Sequence, residues 1–175
     1  MISKVLLEEL LDIAVSTGAD FAEVFTEREH SNTLRLVSGK VESVKDLTIA
    51  GTGIRAFCGT KTYYASTSDF SREGLLRCAA AVAGAVGEGR AELKKDNLGD
   101  VHAVTRHPDA VETAEKADVL REAASAATAT DSKIVQVTGM YLDVDRHYTV
   151  ANTEGLYRSD RKTRTRLAVS AVAAD

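Results

Sequence analysis

Five charged residues alternate along YRSDRKTRTRLAV, the stretch from Tyr157 to Val169: Arg158, Asp160, Lys162, Arg164 and Arg166. Successive side chains of a strand point to opposite faces, so an extended conformation gathers all five on one face. Such a row has two readings. It is either a solvated face laced by cross-strand ion pairs, or the basic wall of a cleft. In the second reading Arg158, Lys162, Arg164 and Arg166 are substrate-binding residues that hold acidic side chains or a peptide carboxylate.

Catalytic groups are harder to find. The chain has four histidines, His30, His102, His107 and His147. Zinc hydrolases commonly place two histidines one helical turn apart with a glutamate, so that two ligands and a base share a face. No such pair occurs here. His102 and His107 come nearest, but they lie beside Pro108 in a stretch without periodicity and read as solvent-exposed loop residues. No nucleophile elbow surrounds a serine or cysteine. Gly51 and Gly53 in AGTGIRAF lead into a strand rather than a helix N-terminus, so a phosphate cradle is missing, and close packing or a bulge explains them better. The residues thus assign no catalytic group, metal ligand or cofactor to this chain.

The elements that must position the basic row follow from periodicity. Leu6, Leu7, Leu10, Leu11 and Ala14 recur at helical spacing behind Ser3, predicting a helix over 4–17 that Gly18 ends. From Ala19 the period becomes two. Turns are expected at His30-Ser31-Asn32, Ser38-Gly39-Lys40 and Gly59-Thr60, with strands near 41–48, 50–58 and 61–67. Connections this short favour antiparallel neighbours. Ser71 caps a second helix, expected to stop at Gly87-Glu88-Gly89. Residues 89–111 hold the only proline and read as a linker with at most short strands. A third helix over 112–129 points Val119 and Leu120 inward, and strands return at 133–144, 146–152, 155–162 and 164–173.

The second half repeats the first in form, with Ser38-Gly39-Lys40-Val41 matched by Thr153-Glu154-Gly155-Leu156. The expectation is an α+β fold of two related helix-plus-antiparallel-meander units, helices packed on one face of the sheets. The first unit is 1–88, the linker 89–111 and the second unit 112–175. Nothing follows the last strand to blunt its edge, so the second unit reads as truncated within a larger protein. An exposed meander edge can also accept an extended peptide as an added strand, ordinary intramolecular or subunit pairing being the alternative.

Composition excludes several classes. Of 175 residues, 44% are hydrophobic and 27% charged, the range of globular domains, and the net charge of -4 argues against direct nucleic-acid binding. No apolar run approaches the roughly 20 residues of a membrane span, and Glu8, Glu9 and Asp12 interrupt any secretory core. Cys58 and Cys78 fit a reducing cytoplasm as reduced, buried thiols.

Three stretches, GADFAEVFTEREHSNTLRLVSGKVESV, GTGIRAFCGTKTYYASTSDFS and IVQVTGMYLDVDRHYTVANTEGLYRSD, resemble in order and spacing the N-terminal portion of the TldD/PmbA family, also named as modulators of DNA gyrase. The resemblance covers most of the chain apart from the linker. It implies a cytoplasmic zinc metallopeptidase acting on peptides or unfolded polypeptides, often as a homodimer or as a heterodimer with a related subunit. In the family, zinc belongs to a His-Glu-x-x-x-His helix of the C-terminal half, with the glutamate as general base. None of that is in these residues, so the resemblance implies that this piece alone is inactive. Its role is then substrate guiding and assembly. The alternative is a non-catalytic partner subunit or peptide-binding module without metal. GTGIR followed by YAST looks more like the zinc-bearing branch than the metal-free one.

Overall fold

The computed structural model describes residues 2–86, the backbone of 94–95, and 104–174. Its elements are α1 (Lys4–Val15), β1 (Phe21–Val37), β2 (Lys40–Cys58), β3 (Lys61–Thr67), α2 (Arg72–Ala83), β4 (Lys94–Lys95), a 3-10 turn (Pro108–Ala110), α3 (Thr113–Thr128), β5 (Ile134–Asn152) and β6 (Leu156–Ala173). The sheet order is β3-β2-β1-β5-β6-β4. β3 pairs antiparallel with β2 from Cys58↔Lys61 to Thr52↔Thr67, whereas β4 lies parallel to β6. Backbone bonds from Ser38 to Val137 and from Thr153 to Ala22 fix β1 and β5 as antiparallel in one register. The fold is α+β, as expected.

Two compact units emerge, and they interleave along the sequence. The first comprises Met1–Arg28, Ile49–Val101 and His147–Arg161; the second comprises Glu29–Thr48, His102–Arg146 and Lys162–Asp175. The long strands β1, β2, β5 and β6 contribute segments to both units.

In the first unit, Ser3 accepts from the Leu6 amide and caps α1, Gly18 ends it at φ 102°, and Ser71 caps α2 by accepting from Gly74. Leu7, Leu10, Leu11 and Ala14 of α1 and Leu75, Ala79 and Val82 of α2 pack on one face of the sheet, against Ala22 and Val24 of β1, Ile54 and Ala56 of β2 and Ala151 of β5. In the second unit α3 covers one face, with Ala117, Leu120 and Ala124 on Leu34, Leu36, Val137 and Tyr141.

Several expectations are corrected. No turn forms at His30-Ser31-Asn32, and β1 runs through it. Two of the polar side chains that suggested a turn bond across strands instead: Asn32 donates to Asp46 at 3.1 Å, and His30 Nε2 lies 2.9 Å from the same carboxylate. The separate strands expected at 41–48 and 50–58, at 133–144 and 146–152, and at 155–162 and 164–173 are likewise single strands. Inward positions of β2 change parity, from Val41 and Ser43 to Thr52, Ile54 and Ala56, while β1 keeps even positions inward throughout. This is the mark of one extra residue in β2, a β-bulge.

Helix α2 stops at Ala83, capped by Gly84, and the stop expected at Gly87-Glu88-Gly89 lies outside the described residues. Val119 is exposed, because the inward stripe of α3 runs through Lys116, Ala117, Leu120 and Ala124. Of the linker histidines, His102 lies outside the described residues, and His107 is half-buried beside the buried Pro108 rather than exposed. At Gly53 a Cβ would come 2.6 Å from the hydroxyl of the exposed Tyr64 side chain, which would have to swing aside. Both cysteines are free, Cys58 half-buried and Cys78 buried, and burial pushes the Cys78 thiol up.

Candidate functional site

Two sets of polar groups stand out in the second unit, one on each face of its sheet. The inward set begins with β5, whose odd positions Val137, Tyr141, Asp143 and Asp145 are all buried. Two carboxylates therefore sit where the pattern calls for apolar side chains. Helix α3 supplies the counter-charge, because Lys116 lies on its inward stripe. The Lys116 ammonium is 2.7 Å from Asp143 Oδ2, with the side chains 4% and 0% exposed. The approach is off the direction of a hydrogen bond. The pair is held by charge.

The register of β1 on β5 carries Asn32 opposite Asp143 and His30 opposite Asp145. Asn32 is 1% exposed; its Nδ2 is committed to Asp46, and its Oδ1 is buried without a donor among the described residues. The exposed Asp46 carboxyl is held below its ordinary range, first by the His30 hydrogen bond and then by that of Asn32.

Burial pushes the Tyr141 phenol above its ordinary value, the Asp143 charge adds to this, and a hydrogen bond with Thr165 pulls the other way. Folding thus favours the neutral phenol. Its contribution to stability is complete below the unfolded pKa and is lost as pH rises through the higher folded value. Urea midpoints of the wild type should fall above about pH 10. Tyr141→Phe should flatten that alkaline limb, and an unchanged limb would show that another group governs it.

The outward set is the basic row. Thr165 faces Tyr141, so the odd positions of β6 turn toward α3 and the even ones away from it. Lys162, Arg164 and Arg166 are exposed in the second unit, while Arg158 is half-buried in the first. In the first unit Asp160 accepts the Tyr148 hydroxyl at 2.8 Å. Arg164 and Arg166 make no ion pair or hydrogen bond among the described residues.

Two family models match the sequence. PmbA/TldA metallopeptidase domain 1 covers residues 22–85, and the PmbA/TldA metallopeptidase central domain covers 106–175. The chain belongs to the PmbA/TldD family. No curated protein matches it. Among solved structures, a candidate modulator of DNA gyrase from Thermotoga maritima is 21% identical with a TM-score of 0.71, over 89% of this chain and 36% of that one. Another from Bacteroides thetaiotaomicron is 15% identical with a TM-score of 0.76, over 99% and 42%. TldE from Thermococcus kodakarensis is 15% identical with a TM-score of 0.64, over 97% and 40%. At these identities the likeness concerns the fold. The chain spans between 36% and 42% of the length of these three structures.

For this PmbA/TldD chain the family raises the question of zinc. No group of three or more His, Cys, Asp or Glu among the described residues is disposed to hold a metal ion. Lys116 already supplies the cation facing Asp143, so the inward set does not fit zinc either. It seats α3 on the sheet. Its members Asn32, Asp46, Lys116, Tyr141, Asp143 and Asp145 escaped the sequence reading. Two signals could have found them: acids at the inward parity of YLDVD, and a lysine on the inward stripe of α3. No described helix is long and apolar enough to cross a membrane.

Proposed function

We propose that this chain is the substrate-guiding and assembly region of a zinc metallopeptidase of the PmbA/TldD family that acts on peptides or unfolded polypeptides. The observation that carries this reading is the pair of exposed guanidinium groups, Arg164 and Arg166, which are unpaired among the described residues and lie on the sheet face turned away from α3 in the central-domain segment. That face of the second unit would form a wall of the substrate path, with Lys162 continuing the row. Zinc and the catalytic base would come from residues outside this chain. The reading includes a cytoplasmic location, no membrane or direct nucleic-acid contact, and assembly as a homodimer or with a related subunit.

The test uses the protein encoded by the complete reading frame. It is expected to bind zinc stoichiometrically and to hydrolyse unfolded polypeptides but not folded ones, while the 175-residue chain alone does neither. A complete protein that carries no zinc and cleaves nothing alone, yet is needed for hydrolysis by a related subunit, would establish the non-catalytic partner instead.

A further inference from the structure

Beyond a general affinity for peptides, the outward face of β6 carries a pattern. Its even positions in the second unit read Lys162, Arg164, Arg166, Ala168, Ser170 and Val172, cationic at one end and small or apolar at the other. Arg164 and Arg166 are exposed and make no ion pair or hydrogen bond among the described residues, and Val172 is 53% exposed. The neighbouring outward positions of β5, Met140, Leu142 and Val144, are half-buried and apolar. Among the described residues the guanidinium groups thus stand beside apolar surface, not beside carboxylates of their own sheet.

We propose that this face selects extended segments that carry acidic side chains at alternate positions. The inference rests on the reading of β6 as a wall of the substrate path and names the class of substrate that the wall prefers. Same-face residues of any strand repeat at about 7 Å. An extended segment with acids at i and i+2 therefore meets Arg164 and Arg166 together, each carboxylate able to take a two-pronged guanidinium contact. Acids at consecutive positions point to opposite sides of the segment, and only one of each pair can reach the row. A segment running antiparallel to β6 would place its acidic, C-terminal end toward Lys162 and an apolar residue near Val172. Exposed charges at this site make the binding weak and sensitive to salt.

Fluorescence anisotropy of labelled ten-residue peptides on the 175-residue chain tests the idea. Three peptides are needed: one with two glutamates at alternate positions near its C-terminus, one of the same composition with the two glutamates contiguous, and one with lysines replacing the alternate glutamates. The alternating acidic peptide should bind about fivefold tighter than the contiguous one, since the latter matches the row with fewer carboxylates. The double reversal Arg164→Glu/Arg166→Glu should weaken the acidic peptide at least about tenfold and create binding of the lysine peptide. Arg164→Gln/Arg166→Gln should lose the first effect without gaining the second, with circular dichroism confirming that both variants fold. Equal affinity of the alternating and contiguous peptides, absence of binding by either, or no gain by the lysine peptide overturns the proposal. None of these results bears on zinc content or hydrolysis by the complete protein, which decide the underlying reading separately.

Discussion

Asp143→Ala should be among the most damaging single changes in the second unit, lowering the free energy of unfolding by about 3–5 kcal/mol. The reason is what the substitution leaves behind. Lys116 is 4% exposed, and the Asp143 carboxylate at 2.7 Å is its ion-pair partner. Without that carboxylate an ammonium remains in the interface between α3 and the sheet, and its desolvation is no longer offset. The pair itself need not be strongly stabilising, because two charges were removed from water to make it. Replacing both members, as Lys116→Met with Asp143→Leu, should therefore come within about 1 kcal/mol of the wild type or exceed it. Urea unfolding of the two single variants and the double variant separates these terms. If Asp143→Ala costs less than about 1 kcal/mol, the ammonium has found water or another partner, and the pair is not the lock on α3 that its burial indicates.

The helix starts and the two hairpin turns were legible in the sequence because local chemistry decides them. Ser3 and Ser71 cap their helices through side-chain oxygens, and Gly18, Gly39 and Gly59 take positive φ where chain direction changes. The basic row was legible for a similar reason: β6 keeps its odd positions toward α3 from Thr165 to Val169, so simple alternation sorts its side chains correctly. What failed were judgements that depend on a neighbouring strand. His30, Ser31 and Asn32 have turn-forming character, but Asp46 satisfies two of them across β2. Nothing local reveals that partner. The same holds for Lys116 and Asp143, which are 27 positions apart by their numbers and meet only once α3 lies on β5. The parity change within β2 also escaped, since a bulge is defined against the opposing strand and not along its own.

Gly139→Val tests how tightly that second core is closed. Position 139 lies on the inward face of β5, and a Cβ built there would meet Leu120 Cδ1 at 2.8 Å, Leu120 Cγ at 3.3 Å and Leu36 Cβ at 3.8 Å. Strand preference favours valine over glycine by up to about 1 kcal/mol. Packing opposes it, because Leu120 and Leu36 are both fully buried and have no solvent to retreat into. Overpacking of this kind costs about 1–3 kcal/mol before relaxation, so the net change should be destabilising. Leu120→Ala alone should cost about 2–5 kcal/mol by opening a cavity between α3 and the sheet. Combined, the two changes should partly cancel, since the valine methyl groups enter the space that the leucine vacates. The double variant should then be more stable than the sum of the singles predicts, by about 0.5–3 kcal/mol. Strict additivity in chemical unfolding would mean that α3 does not press on Gly139, and the seat of this helix on β5 would need to be redrawn.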